Sequence, residues 1–210
     1  MPYLARPTPD PEPIDCRILT ASLDLFVNNG FHNVSVHDVQ KVADVSIGSI
    51  YKHFGGKEGI AKALYARLLT EMNEMVDMVI QQRHTPIERC NRVIELLFEY
   101  TETRTNIIAY VFHSKHSEFI SDEAPICSAE PFVRIREIVQ QGIQQGDIQP
   151  CDSWVASSAI FGGAIRLIHL RLEGIIERPL TELYPEVIER TWQGMTTRPE
   201  SLNLEVKKAV

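Results

Sequence analysis

Ser35 and Ser46 each stand directly ahead of a short apolar run, and Gly55-Gly56 closes the second run. A serine before a helix accepts a hydrogen bond from a free N–H of the first turn, and glycine lets a chain leave a helix in a left-handed conformation. The punctuation therefore predicts two short helices, Val36 to about Ala43 and Ile47 to about His53, with a tight turn at Asp44-Val45. Ser35-Val36-His37-Asp38 also has the form of a capping box, and Asp38 suits the positive end of a helix.

The flanking segments read as helices too. Ile18, Leu19, Ala21, Leu23, Leu25, Phe26 and Val27 form an apolar stripe that stops at Asn29-Gly30. After the glycine pair, Leu64, Leu68, Leu69, Met72, Met75, Val76 and Val79 recur at helical spacing within a long helix from Lys57 to about Gln82. Further helices are expected from Pro86, over Asn106–Phe112, from Pro131 to near Gly146, from Trp154 to about Glu177 and over about Leu183–Gln193. No segment alternates long enough for a strand. The expected fold is all-α, an N-terminal three-helix helix-turn-helix domain followed by a larger helical bundle. The expected boundaries are a disordered arm at 1–13, a helix-turn-helix domain at 14–58 running into a connector helix at 57–82, a bundle at 83–196 and a tail at 197–210. The arm is read from proline content, five of the chain's 12 prolines lying in residues 2–13.

Composition narrows the functions. A net charge of −7 and a pI near 5.5 argue against a broad basic surface, but local cations and helix ends still suffice for phosphate contacts. Cys16, Cys90, Cys127 and Cys151 form no CxxC pair, so no metal or cofactor is expected. No leader pattern opens the chain, and WVASSAIFGGAI is too short to span a bilayer, so the expectation is a cytoplasmic protein with no membrane partner. Phosphate-binding glycine loops, HExxH and GxSxG are absent, which argues against an enzyme.

Packing then sorts the helix-turn-helix. Val39, Val42, Ala43, Val45, Ile50 and Phe54 are expected to close a small core with Leu23, Phe26 and Val27. That leaves Ser46, Gly48, Ser49, Tyr51, Lys52 and His53 outward. The helix start at Ser46-Ile47 offers free N–H groups to a phosphate. Gly48 permits close approach to a groove wall, and Lys52 can reach guanine O6 and N7 or a phosphate. Tyr51 suits a phosphate, a sugar or a thymine methyl, and His53 suits a phosphate. Lys57 is a cation at the positive end of a helix, which fits either a phosphate contact or a solvated lysine. Lys41, Lys52 and Lys57 are offset by Asp38, Asp44 and Glu58, so one module should bind weakly. Two modules at fixed spacing, reading a palindrome in double-stranded DNA, would remedy that.

The run RILTASLDLFVNNGFHNVSVHDVQKVADVSIGSIYKHFGGKE, Arg17 to Glu58, resembles the N-terminal domain of the TetR family of one-component transcriptional regulators. The resemblance implies a homodimeric repressor whose recognition helix, Ile47–His53, enters the major groove. It carries phosphate contacts onto Ser35, Tyr51, His53 and Lys57, and a core role onto Phe54. It also implies that 83–196 is an effector-binding and dimerisation domain with an interior cavity for a small-molecule effector of unknown identity. Two positions depart from the pattern. Asp44 stands where the family usually has glycine, and Gly59 is a poor helix former that suggests a loose junction.

Phe98, Tyr110 and Phe132, with Met75, Tyr100 and Phe112, are candidates to line the cavity, and Arg104, Asn106 and His113 are candidate polar anchors. The same aromatics would serve equally as core. His113 and His116 make half a metal site at best; Glu118 is near, but no Cys or carboxylate completes the site at helical spacing. Phe161, Ala164, Ile165, Ile168 and Leu172 on one helix, with Val187, Ile188 and Trp192 on the last, suggest a four-helix dimer seam. The alternative is the central helix of a monomeric bundle. Two other functions compete: a helical protein–protein adaptor, and an enzyme using the bundle cavity. Both leave the Ser46–Lys57 surface without a role.

Overall fold

The computed structural model describes residues 3–4, 10–114 and 128–196. These residues form helices α1 (Ile14–Asn29), α2 (Val36–Ala43), α3 (Ile47–Phe54), α4 (Lys57–Gln82), α5 (Pro86–Thr103), α6 (Thr105–His113), α7 (Glu130–Gln145), α8 (Ser153–Leu172) and α9 (Leu180–Trp192), with a 3₁₀ turn at Phe31–Asn33. Helix ends fall where the sequence placed them to within a few residues, and α8 stops short of Glu177 because the chain turns at Glu173 and Gly174. Among the described residues the only β pairing is an isolated antiparallel bridge between Ile148 and Thr196. His116, Glu118, Cys127, most of the expected arm and the expected tail lie outside the described residues.

Helices α1 to α3 pack on one another and on the start of α4. Helix α5 is the hub of the larger bundle, in contact with α4, α6, α7, α8 and α9. Val93, Ile94, Leu96, Leu97 and Phe98 of α5 are all buried, so its apolar face is wide enough to serve several neighbours. One continuous apolar core runs through both parts, from Leu23 and Phe26 to Ile188 and Trp192.

The arm does not behave as expected at the two of its early residues that are described. Leu4 is buried, and its N–H donates to Glu71 Oε2 of α4 at 3.1 Å. The Tyr3 carbonyl accepts from Arg104 Nε at 3.1 Å. Proline content argued for disorder, but one leucine finding an apolar seat is enough to pin an extended segment.

Polar clamps fix the far end of the bundle. Glu102 of α5 accepts from Arg171 of α8 and from the Leu180 N–H that opens α9. Those Arg171 hydrogen bonds, aided by the Leu180 N–H, hold the Glu102 carboxyl below its ordinary range, against the opposing effect of burial. Arg171 also reaches the carbonyls of Ile176 and Glu177. Trp192 Nε1 donates to Asn91 Oδ1 at 2.6 Å, locking α9 to α5.

Among the described residues, one helix, α8, is long and apolar enough to cross a membrane by length and composition. It packs one side against α5, α6, α7 and α9 and leaves the other exposed.

Candidate nucleic-acid interface and effector cavity

The helix-turn-helix is held by local bonds that its sequence dictates. Ser35 Oγ accepts from the Asp38 N–H at 3.2 Å, and Asp38 Oδ2 accepts from the Ser35 N–H at 2.9 Å, completing the capping box. Bonds from the Ser35 hydroxyl and N–H hold the Asp38 carboxyl below its usual range. Ser46 Oγ accepts from the Ser49 N–H at 3.1 Å and caps α3. Asp44 sits at φ 51 and ψ 55, the left-handed conformation that aspartate tolerates better than most residues.

Arg17 secures this turn. Its Nη2 donates to the Ala43 carbonyl at 2.6 Å and to the Asp44 carbonyl at 2.7 Å. A guanidinium at the C-terminal end of α2 meets orphan carbonyls and the negative end of the helix dipole. Sequence reasoning missed this residue. Its only signal is a lone arginine in the first turn of an otherwise apolar helix face.

Val39, Ala43 and Ile50 are buried beneath α2 and α3 with Leu23, Phe26 and Phe31, and Val45 and Phe54 pack against them. Val42 does not join them and is 57% exposed. With Val39 and Ala43 one turn apart defining the inward face of a helix of eight residues, Val42 is rotated off it. Ser35, Ser46, Gly48, Tyr51, Lys52 and His53 are exposed, and Ile47 and Ser49 are half-buried. Tyr51 is 55% exposed, unusual for so large a ring with no packing role.

Lys57 is engaged within the chain. Its Nζ donates to the Phe31 carbonyl at 3.1 Å and lies 4.2 Å from the centroid of the Phe31 ring. The cation at the start of α4 is thus balanced by a carbonyl and a π face. The junction is also tight rather than loose. A Cβ on Gly59 would lie 1.7 Å from the Phe54 carbonyl oxygen, so α3 can end directly on α4 only if that residue is glycine.

The expected ligand residues separate. Asn106, Tyr110 and His113 line an open cleft of about 640 Å³ between the α1 corner and α6. Within it Asn106 Nδ2 donates to Asp24 Oδ1 at 2.6 Å, tying α6 to α1. Tyr110 is fully buried, and burial raises its phenol well above the ordinary range. Phe98 is fully buried core and lines neither cavity, and Arg104 is exposed and bonded to the Tyr3 carbonyl. Phe132 and Phe112 line a second cavity of about 230 Å³ between α4, α5, α7 and α8, with Met72 in place of Met75. The walls of this cavity are apolar almost throughout.

The expected seam falls mostly inside the chain's own core. Ala164, Ile168, Ile188 and Trp192 are each at most 1% exposed and Phe161 is 7% exposed, so their surfaces are already taken. Ile165, Leu172 and Val187 are half-buried. A wide apolar stripe signals burial without saying which chain provides it. The outward side of α8 instead carries Val155, Ser158, Ala159, Gly162, Gly163 and Arg166. Metal-ligating clusters of three or more His, Cys, Asp or Glu do not occur among the described residues.

Comparison with known proteins bears on this head. The profile of bacterial regulatory proteins of the tetR family matches residues 18–64, from α1 into α4. Residues 18–64 carry a TetR-type N-terminal domain. The TetR-family head is joined to a bundle of similar plan in solved relatives. FadR from Bacillus subtilis in complex with stearoyl-CoA superposes with a TM-score of 0.71 at 24% identity, covering 85% of this chain and 97% of that one. A putative fatty acid metabolism regulator of Clostridium perfringens gives a TM-score of 0.72 at 20% identity, covering 87% and 100%. At such identities the likeness is one of fold. Among curated proteins, the HTH-type transcriptional regulator UidR of Escherichia coli (strain K12) is 27% identical over 154 residues, 65% of this chain and 72% of its own. The fatty acid metabolism regulator protein of Bacillus subtilis (strain 168) is 26% identical over 149 residues, 70% and 77% of the two chains. The chain thus joins a head that matches the tetR-family DNA-binding domain to a helical bundle that contains a cavity.

Proposed function

We propose that this TetR-family regulator is a homodimeric repressor that reads a palindromic operator and releases it when a small molecule fills the bundle cavity. The observation that carries the reading is α3 itself, a capped helix over a closed apolar core, with Ser46, Gly48, Tyr51, Lys52 and His53 left outward. Residues 14–58 form the reading head, α4 the connector and residues 83–196 the effector and dimerisation part. Lys52 is assigned to base edges, Ser35, Ser46, Tyr51 and His53 to phosphates and sugars, and Lys57 to holding the Phe31 corner.

Dimerisation is assigned to the outward side of α8, where Val155, Ala159, Gly162 and Gly163 would admit a second helix closely. The cavity around Phe112, Phe132 and Phe161 is assigned to the effector, since apolar walls favour a largely apolar ligand. Two similar proteins carry fatty acid metabolism in their names and one was solved with stearoyl-CoA, which agrees with an effector of that character.

The test is a footprint on DNA flanking the chain's own gene, at low salt and without effector. A protected inverted repeat is expected, with Lys52→Ala relaxing base preference. The absence of any protected repeat, or an unchanged sequence profile for the Lys52 variant, counts against the reading head as assigned.

A further inference from the structure

We propose that the 230 Å³ cavity takes a short fatty acyl group, an unbranched aliphatic chain with its carboxylate or thioester head at Arg136. The proposal rests on the assignment of that cavity to the effector and specifies what it binds.

Three observations carry it. The inner walls come from Met72, Val93, Leu97, Ile135 and Phe161, none of which can pair with a polar group. They ask for a hydrocarbon. At the rim lies the half-buried Arg136, its guanidinium 3.9 Å from the centroid of the Trp154 ring. No carboxylate partner meets it among the described residues. Arg134, two residues earlier on the same helix, is by contrast bonded to both Asp77 and Asn73. A guanidinium beside an apolar space and without an anion favours one strongly when it comes, because the planar fork matches two carboxylate oxygens. The third observation is Ser157, which also lines the cavity. Its Oγ is buried and has no hydrogen-bond partner among the described residues. Ser157 stands one turn after Trp154 on α8, so the orphan hydroxyl and the arginine-stacked ring belong to the same side of the helix.

A carboxylate head carries two acceptor oxygens, one for the guanidinium and one for the hydroxyl, and a thioester head offers its one carbonyl oxygen to the guanidinium. No acidic side chain lines the cavity, which disfavours cationic ligands. A single cation at the rim disfavours polyphosphates held by the cavity alone. At about 30 Å³ per small group, the volume water occupies in the liquid, the space holds roughly eight carbon-sized groups. Longer chains gain nothing inside it.

Calorimetric titration of the purified full chain, without DNA, tests this separately from the DNA-reading assignment. The probes are octanoate, octanoyl-CoA, octanol, octylammonium and hexadecanoate. Saturable binding of octanoate or octanoyl-CoA is expected, with octanol and octylammonium weaker by about tenfold or more. Saturation by octanoyl-CoA alone also supports the proposal and assigns the thioester as the source. Hexadecanoate should bind no tighter than octanoate. Arg136→Gln, a rim change that spares the core, should bring octanoate and octanol to within about threefold of each other. Leu97→Trp, which fills the space, should abolish acyl binding. Equal affinity for octanol and octanoate in the natural chain, a preference for the acid kept by the Arg136 variant, clearly tighter binding of hexadecanoate, or no saturation by either acyl probe overturns the proposal. A chain that binds DNA and fails these titrations loses only this inference.

Discussion

The carbonyl oxygen of Phe54 stands 1.7 Å from where a side chain on Gly59 would begin, so the last turn of α3 rests directly on α4. On an ordinary helix surface, replacing glycine by alanine gains about 1 kcal/mol. Here the sign reverses. Gly59→Ala must push α3 off α4 and should cost about 1–3 kcal/mol, the usual range for overpacking. Thermal melting checks it, and DNA affinity should fall with stability. A melting temperature equal to or above that of the natural chain would falsify the contact.

Arg17 serves the turn from a different helix. Arg17→Ala should lower stability by about 1 kcal/mol, discounted from the usual value of a charged hydrogen bond because the side chain is partly exposed. Asp44→Gly, which relieves a left-handed residue, should change it by less than about 1 kcal/mol in either direction. Urea unfolding of both variants compares them. A larger loss for the Asp44 variant would show that its side chain, not its backbone carbonyl, anchors the turn.

Glu102 gives the bundle an acid limit. Its folded pKa lies below the unfolded value, so its ionised form stabilises the fold at neutral pH. That contribution is fully present above the unfolded carboxylate value of about 4.3 and fades as pH falls through the lower folded value. Glu102→Gln should lower stability at pH 7 and flatten its decline in acid. Parallel stability–pH curves for the two chains would remove Glu102 from the account.

The outward side of α8 and its inward side should respond differently to the same charge. Ala159→Glu, on the outward side, should yield folded monomers by light scattering while keeping helical circular dichroism. Ile168→Glu, fully buried, should unfold the chain because an unpaired carboxylate would enter the core. Dimers that survive the Ala159 change would move the interface elsewhere.

Much of this was legible from sequence, and the limits have physical causes. Ser35, Ser46 and the αL position of Asp44 were readable because caps and turns depend on a few neighbouring residues. Val42 was misplaced because a helix of two turns buries only the pair its neighbours can cover. Lys57 and Gly59 carried no local signal, since their reasons lie in Phe31 and in the Phe54 carbonyl. Phe161, Ala164, Ile168, Ile188 and Trp192 of the expected seam are buried within the chain, because periodicity cannot tell a partner chain from α5. The unpaired Arg136 and the orphan Ser157 hydroxyl emerge only when α7 and α8 are set side by side.

The arm has a further consequence for the order of events in synthesis. Leu4 precedes its partner Glu71 by 67 residues, and Tyr3 precedes the Arg104 that holds it by 101. The seat of the arm cannot exist until α4 and the α5–α6 corner have been made. Contacts so distant along the chain form late. Burial of Leu4 therefore reads out completion of the bundle.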